Sequence, residues 1–138
     1  MPHTDRPDAS VSIEPPLEQR EVAVLAGLAG RADAVRRMWP GQPGPRSPWQ
    51  PCPDGCCLRA DRRPIDELAT WLRFLIREVL APRAAKPRAR AQALGLPGEH
   101  RVEGRLHVEG RVVDRVLVVR HNRVRETDPA ASGQRTER

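Results

Sequence analysis

Residues 64–80 read PIDELATWLRFLIREVL and carry the clearest secondary-structure signal in the chain. Apolar side chains recur there at spacings of three and four residues, which is the period of a helix with one buried face. These positions are Ile65, Leu68, Leu72, Leu75, Ile76 and Val79. Proline at position 64 suits a first helical turn, and proline at position 82 cannot continue the helix. We therefore predict a core helix over residues 64–80 that packs on a sheet.

The C-terminal third of the chain has the pattern of β-strands. Apolar and polar residues alternate over residues 102–109, with Gly104 on the apolar side. This period of two is typical of a half-buried strand. Residues 116–119 read VLVV, a β-branched run that predicts a buried strand. His121 and Asn122 predict a turn into a short returning strand, because asparagine tolerates the left-handed conformation.

A hairpin is predicted upstream of the core helix, at the end of a proline-rich connector over residues 39–53. Proline lacks the backbone N–H, so this connector cannot be helical and cannot supply a central strand. The sequence PDG at residues 53–55 is a strong turn signal. Residues 49–50 before it and residues 56–59 after it complete the hairpin pattern.

Together these elements predict an α+β fold with two layers. A small antiparallel sheet, formed by the hairpin and the C-terminal strands, packs on one main helix, and an additional N-terminal helix covers residues 17–38. The sequence before that helix is polar and contains proline, which is typical of a disordered tail. The predicted divisions are a disordered tail (1–16), a single domain (17–126, with the N-terminal helix 17–38, the connector 39–53 and the core 54–126) and a disordered C-terminal tail (127–138).

The composition restricts the class of protein. The chain has 138 residues, enough for one domain, and a net charge of +6 from 24 basic and 18 acidic residues. It contains no run of 18 apolar residues that would span a membrane, and its polar N-terminus does not have the pattern of a secretory signal. Three cysteines, an odd number in a tight cluster, argue against a disulfide framework. We therefore expect a cytoplasmic protein.

Three motifs resemble those of small uncharacterised proteins of actinobacteria and their phages. They are WQPCPDG at residues 49–55, WLRFLI at residues 71–76, and Gly104 followed by a closing strand over residues 114–124. That group is similar in a Trp-x-Pro-x-x-Asp-Gly turn, a Trp-Leu-x-x-Leu-Ile helix and a strand ending in Asn-x-Val. The resemblance covers residues 49–124 and implies the fold without implying an activity. The cysteines and the basic stretch after residue 82 depart from the shared pattern.

The cysteine cluster is the sharpest candidate for chemistry. Zinc favours four Cys or His ligands at tetrahedral positions, and this hairpin could supply two or three thiolates. The candidate ligands are Cys52, Cys56, Cys57, His100 and His107. The spacing lacks a second cysteine pair, and we expect Cys56 and Cys57 to point to opposite faces of a strand. Cysteines that simply pack as small apolar residues, or a cysteine nucleophile, are the competing interpretations.

Four basic residues, Arg83, Lys86, Arg88 and Arg90, are the candidates for contact with nucleic acid. They lie without an acidic neighbour in a segment that predicts either a short helix over residues 89–96 or a loop. Arginine and lysine neutralise phosphates and release counterions. Aromatic side chains on which bases could stack are missing from the segment, so an ordinary solvated surface is the competing interpretation.

The sequence contains no recognisable catalytic residues and implies no cofactor, since both the Gly-x-Ser-x-Gly motif and a phosphate-binding loop are missing. We therefore expect a non-enzymatic interaction or accessory module of bacterial or phage origin. The alternatives are a nucleic-acid-binding accessory protein and a small zinc- or thiol-dependent protein. A protein partner or a second copy would bind the stripe of the N-terminal helix or the open edge of the sheet.

Overall fold

The computed structural model describes residues 10–30, 39–110 and 112–129. Within these ranges the chain forms six strands and three helices. They are β1 (Ser10–Glu14), α1 (Gln19–Gly30), β2 (Trp49–Pro51), β3 (Cys57–Ala60), α2 (Ile65–Leu75, continued by the π-helical turn Ile76–Leu80), α3 (Ala85–Ala93), β4 (Arg101–Val108), β5 (Arg115–Arg120) and β6 (Arg123–Thr127). The strands form one antiparallel sheet in the order β2-β3-β1-β4-β5-β6. The predicted α+β class is confirmed.

β1 corrects the predicted N-terminal tail. Disorder over residues 1–16 is wrong from residue 10 onward, and residues 1–9 lie outside the described residues. Val11 and Ile13 alternate with polar residues, and each is 1% exposed. β1 pairs with β3 on one side and with β4 on the other. A strand with only two apolar residues gives too short a pattern to recognise, and its burial comes from partners far away in the sequence.

The N-terminal helix is observed over Gln19–Gly30, and residues 31–38 of the prediction lie outside the described part of the chain. Leu25 and Leu28 are buried in the chain's own core. The described part of this stripe is therefore not a free surface for a partner. At the other end, β6 includes Thr127, which is the first residue of the predicted C-terminal tail.

The predicted core helix is confirmed, with α2 and its π-helical turn covering nearly all of it. Leu68, Leu72 and Leu75 are each at most 2% exposed. Burial of one such side chain contributes roughly 2 kcal/mol to the free energy of unfolding. The hairpin is joined to this helix by Trp49, whose indole Nε1 donates to the carbonyl oxygen of Leu68 at 3.0 Å. No helix in the described ranges has the length and apolar character needed to cross a membrane.

The strand register divides the sheet into two faces. The sheet residues that belong to the hydrophobic core, or pack against it, all lie on the face toward the helices. They are Val11, Ile13, Trp49, Leu58, Ala60, Val102, Leu106, Val108, Leu117, Val119 and Val124. The strand residues that alternate with this set form the opposite surface, which we call the outer face. Two apolar residues of this outer face, Val116 and Cys57, are also buried, at 1% and 8% exposure, but they do not belong to the cluster that packs on the helices.

Gly104 lies opposite Val11, where β4 and β1 approach closely. A Cβ added to Gly104 would lie 2.8 Å from Val11 Cγ1 and 2.9 Å from Val11 Cα. We predict that Gly104→Ala lowers the free energy of unfolding by about 1–3 kcal/mol, because the backbone must shift to admit the methyl group.

Gly27→Ala is the matched control, since an added Cβ in the middle of α1 meets nothing within 4 Å. We expect it to raise the free energy of unfolding by up to about 1 kcal/mol. Urea denaturation measures both variants. A neutral or stabilising effect of Gly104→Ala would contradict the close pairing of β1 with β4.

Candidate metal centre

Three cysteine side chains meet at the turn between β2 and β3. The Sγ atoms of Cys52 and Cys56 are 3.2 Å apart, and those of Cys56 and Cys57 are 3.8 Å apart. All three sulfurs lie within 4.8 Å of one another. A tetrahedral zinc site with Zn–S bonds of about 2.3 Å would place its sulfurs about 3.8 Å apart. The observed spacing is therefore close to three corners of a thiolate site.

The backbone of the turn explains how neighbouring cysteines converge. The amide of Gly55 donates to the carbonyl of Cys52 at 2.9 Å, and the amide of Cys52 donates to the carbonyl of Cys57 at 3.1 Å. β3 begins only at Cys57, so Cys56 belongs to the turn and does not follow strand alternation. The expectation that Cys56 and Cys57 point to opposite faces of a strand is therefore wrong.

β1 and the segment that follows it hold this turn in place. The amide of Ile13 donates to the carbonyl of Cys56 at 2.9 Å, and the amide of Leu17 donates to the carbonyl of Gly55 at 2.8 Å. Gly55 has a φ of +77°, and a Cβ on it would lie 2.5 Å from the carbonyl oxygen of Leu17. Only glycine combines this conformation with this close approach. The fold itself thus positions the thiols.

The three thiols differ in their affinity for protons. Burial raises the pKa of Cys52, but hydrogen bonds from the side chains and backbone amides of Cys56 and Cys57 outweigh it and lower that pKa to about 7. Burial and the hydrogen bond to Cys52 raise the pKa of Cys56. Burial, with the same neighbours, raises the pKa of Cys57 to about 12. Cys52 is therefore the thiol of the cluster that ionises first as the pH rises through neutral values.

His107 does not lie with the cysteines. Among the described residues the cluster has no fourth Cys, His, Asp or Glu ligand. Cys57 pairs with Ser12, which pairs with Glu103 on β4. His107 is four residues further along β4, roughly 13 Å at the usual rise of a strand, and it is exposed to solvent. The structure therefore leaves this candidate ligand far from the cluster.

His100, the other candidate ligand, is held in a buried ion pair with Glu21. Its Nε2 lies 2.7 Å from Glu21 Oε2, and its Nδ1 lies 2.7 Å from the carbonyl oxygen of Pro15. Because both partners are acceptors, both ring nitrogens donate and the imidazole is protonated. Glu21 Oε1 also accepts from the amide of Glu18 at 2.8 Å. The two partners are 79 residues apart, so no local sequence pattern indicates their contact.

The pair shifts the pKa of both groups. Burial lowers the pKa of His100, but the hydrogen bond and charge of Glu21 outweigh it and raise that pKa above its usual value of 6.5. Burial raises the pKa of Glu21, but the bonds from His100 and from the amide of Glu18 lower it below its usual value of 4.5. Both shifts favour the ionised form of the pair.

A groove of about 1220 Å³ runs past the half-buried Cys56. His100 and the side chains of Arg83 and Arg88 also line it. Cys52 and Cys57 are only 4% and 8% exposed, so an ion would reach the cluster past Cys56.

The four basic candidates for nucleic acid are not equivalent. Arg90 Nη1 lies 2.6 Å from Oε1 of the buried Glu78, so this side chain is engaged within the fold. Arg83, Lys86 and Arg88 are exposed and make no ion pair with a described residue. The helix in this segment, α3, begins at Ala85, four residues before the predicted short helix.

No protein-family model, curated protein or solved structure matches the chain. The function of the cysteine cluster is therefore inferred from its own geometry.

The Glu21–His100 pair makes stability depend on pH. The raised pKa of His100 stabilises the fold fully below about pH 6.5, and this contribution is lost as pH rises through the folded-state pKa. The lowered pKa of Glu21 stabilises the fold above about pH 4.5, and this contribution is lost as pH falls through the folded-state pKa. The pair is therefore most stabilising between about pH 4.5 and pH 6.5.

We predict that His100→Gln lowers the free energy of unfolding by about 3–5 kcal/mol at pH 5.5, because Glu21 is left buried without its charged partner. The difference from the wild type should shrink toward pH 9.5, because the wild type also loses the imidazolium as the pH rises through the folded-state pKa of His100. Urea denaturation at the two pH values measures this. His107→Gln, at an exposed site, is the control and should change stability by less than about 0.5 kcal/mol. If His100→Gln lowered the free energy of unfolding equally at both pH values, the result would contradict a charged Glu21–His100 pair.

Proposed function

We propose that the protein is a small non-enzymatic accessory protein that binds a zinc-type metal ion through Cys52, Cys56 and Cys57. The observation that carries this proposal is the convergence of three sulfurs within 4.8 Å on a tightly packed turn. Thiolates favour Zn²⁺ and softer cations over Mg²⁺ or Ca²⁺. Coordination would tie the start of β3 to the end of β2, so part of the binding free energy would stabilise the hairpin.

A fourth ligand would complete the coordination of the ion. A zinc site with three protein ligands takes water or an external group at the remaining position. The groove beside Cys56 would give such a ligand access. Zinc would act there as a structural link, or as a docking point for a donor atom supplied from the groove.

The same arrangement argues against a cysteine nucleophile. A reactive cysteine must be both ionised and accessible. Cys52, the thiol with the lowered pKa, is only 4% exposed, and the more exposed Cys56 has a raised pKa. The described cluster also contains no histidine that could act as a base. Metal binding therefore accounts for the cluster better than thiol catalysis does.

The proposal includes a location in the cytoplasm. All three cysteines have free thiols, and such thiols persist in reducing compartments. A bacterial or phage origin is proposed on the resemblance over residues 49–124 alone.

Titration with zinc tests the proposal. We predict that one Zn²⁺ binds per chain and that Cys56→Ser weakens binding by more than about a hundredfold, because loss of a ligand should exceed the 10–100-fold cost of losing an outer-shell partner. Competition with a chromophoric chelator measures both affinities. His107→Gln is the control and should bind as the wild type does. The same affinity in Cys56→Ser and in the wild type would exclude the proposed site.

Proton release provides a second test, which depends on the order of the three thiol pKa values. At pH 8 Cys52 is mostly ionised, whereas Cys56 and Cys57 hold their protons. Zinc binding should therefore release about two protons per ion, since metal ligands must be deprotonated. Calorimetry in two buffers with different ionisation enthalpies measures the number. Release of three protons, or of none, would contradict the inferred protonation of the cluster.

A further inference from the structure

The strand register collects six arginines on the outer face of the sheet. They come from four different strands, and all six are exposed to solvent. They are Arg59 on β3, Arg101 and Arg105 on β4, Arg120 on β5, and Arg123 and Arg125 on β6. In the sequence these residues are dispersed among acidic neighbours, but the alternation of the strands turns the arginines to one side.

Few acidic side chains balance this charge. Glu14 and Glu103 are the carboxylates at the described outer-face positions of the strands. Both lie beside Arg101, with N–O distances of 3.3 Å and 3.7 Å respectively. No described residue forms an ion pair with Arg59, Arg120, Arg123 or Arg125. The outer face thus carries an excess of positive charge that the described residues do not neutralise.

The arginines also form an ordered array. Arg59 pairs with Ser10, and Arg105 and Arg125 both pair with Val118 between them. Continuing the register of β1 on β4 places Ser10 opposite Arg105, so the three arginines share one row across the sheet. With strands about 4.8 Å apart, this row is roughly 19 Å long.

A second row contains a pair of like charges. Arg120 and Arg123 lie directly opposite each other on β5 and β6. Like charges in this position destabilise a sheet. A bound anion between the two guanidinium groups would remove that cost.

We propose that the outer face of the sheet binds the phosphate backbone of a nucleic-acid duplex. Arginine guanidinium groups match phosphate oxygens and donate two parallel hydrogen bonds to them. A duplex presents about one negative charge per 1.7 Å of its axis, which suits an extended array of cations.

The composition of the outer face favours a duplex over a single strand. Single-strand binding relies on aromatic side chains that stack on bases. The described outer-face positions contain no aromatic ring apart from the imidazole of His107, and Trp49, Trp71 and Phe74 are buried in the core. Contacts are therefore made to phosphates and are independent of base sequence.

The array of arginines on the outer face is separate from the cysteine cluster and from the basic segment after α2. It does not include the basic residues 83–90, and its phosphate contacts do not require a metal ion. Cys57 lies at its margin, in register with Ser12. Failure of zinc binding would therefore not contradict duplex binding, and failure of duplex binding would not contradict zinc binding.

The test compares two variants of the full chain with equal loss of charge. The outer-face variant carries Arg59→Gln, Arg120→Gln and Arg125→Gln, and the control carries Arg83→Gln, Lys86→Gln and Arg88→Gln. Each removes three positive charges from exposed positions, where single substitutions change stability by about 0.5 kcal/mol or less. Circular dichroism verifies that both variants fold.

Affinity is measured by fluorescence anisotropy against a mixed-sequence DNA duplex of about 25 base pairs over a range of salt concentrations. Phosphate contacts from the four arginines that form no ion pair predict a slope of about −4 for log K against log salt. This slope corresponds to roughly a hundredfold loss of affinity between 50 and 200 mM salt. The outer-face variant should reduce the slope by nearly three, and the control should retain the wild-type slope. A zinc chelator should leave the wild-type affinity unchanged.

Three results would overturn the proposal. The first is a salt slope in the outer-face variant equal to that of the wild type. The second is a larger loss of affinity in the control than in the outer-face variant, which would place the phosphate contact on residues 83–88. The third is tighter binding to a single strand of the same length, or to vesicles of anionic phospholipid, than to the duplex.

Discussion

The pairing of β1 with both β3 and β4 is the interaction on which the rest of the structure depends. The hairpin of β2 and β3 and the meander of β4, β5 and β6 have no strand contact except through β1. An isolated two-stranded hairpin is at best marginally stable in water. The side chains of Val11 and Ile13 join the core, while the backbone of Ile13 holds the turn at Cys56. One five-residue strand therefore completes the sheet and positions the cysteines.

The outer face and the cysteine cluster are both consequences of this topology. On β3, Cys57 and Arg59 alternate with Leu58, so one strand contributes to the candidate metal centre, to the basic surface and to the core. In the described part of the chain the helices pack on one side of the sheet, and the exposed arginines lie on the other side. The proposed metal ion and the proposed duplex would both bind outside the apolar core.

Much of the fold could be predicted from local pattern, because its signals are long and regular. The helical period over residues 64–80, the turn at residues 53–55 and the alternation after residue 101 each extend over enough positions to be recognised. β1 could not be recognised in this way, since Val11 and Ile13 are its only apolar residues and Pro15 follows it closely. Its conformation is decided by partners more than 40 residues away.

The candidate sites could likewise be predicted only in part from local sequence. The cysteines could be selected from their types and spacing, but their convergence required knowing that Cys56 precedes the strand. The contact of Glu21 with His100 and the array of arginines depend on tertiary packing and on register across strands. A sequence contains the alternation of each strand, but it does not state which strands are neighbours.

Amide hydrogen exchange in β1 tests the central claim most directly. If β1 is the strand that joins the two parts of the sheet, the amide of Ile13 should exchange only through global unfolding. Its opening free energy would then equal that of Leu106 in β4 and Leu117 in β5. Exchange of Ile13 at the rate of an unstructured peptide, while Leu106 and Leu117 stay protected, would contradict the account.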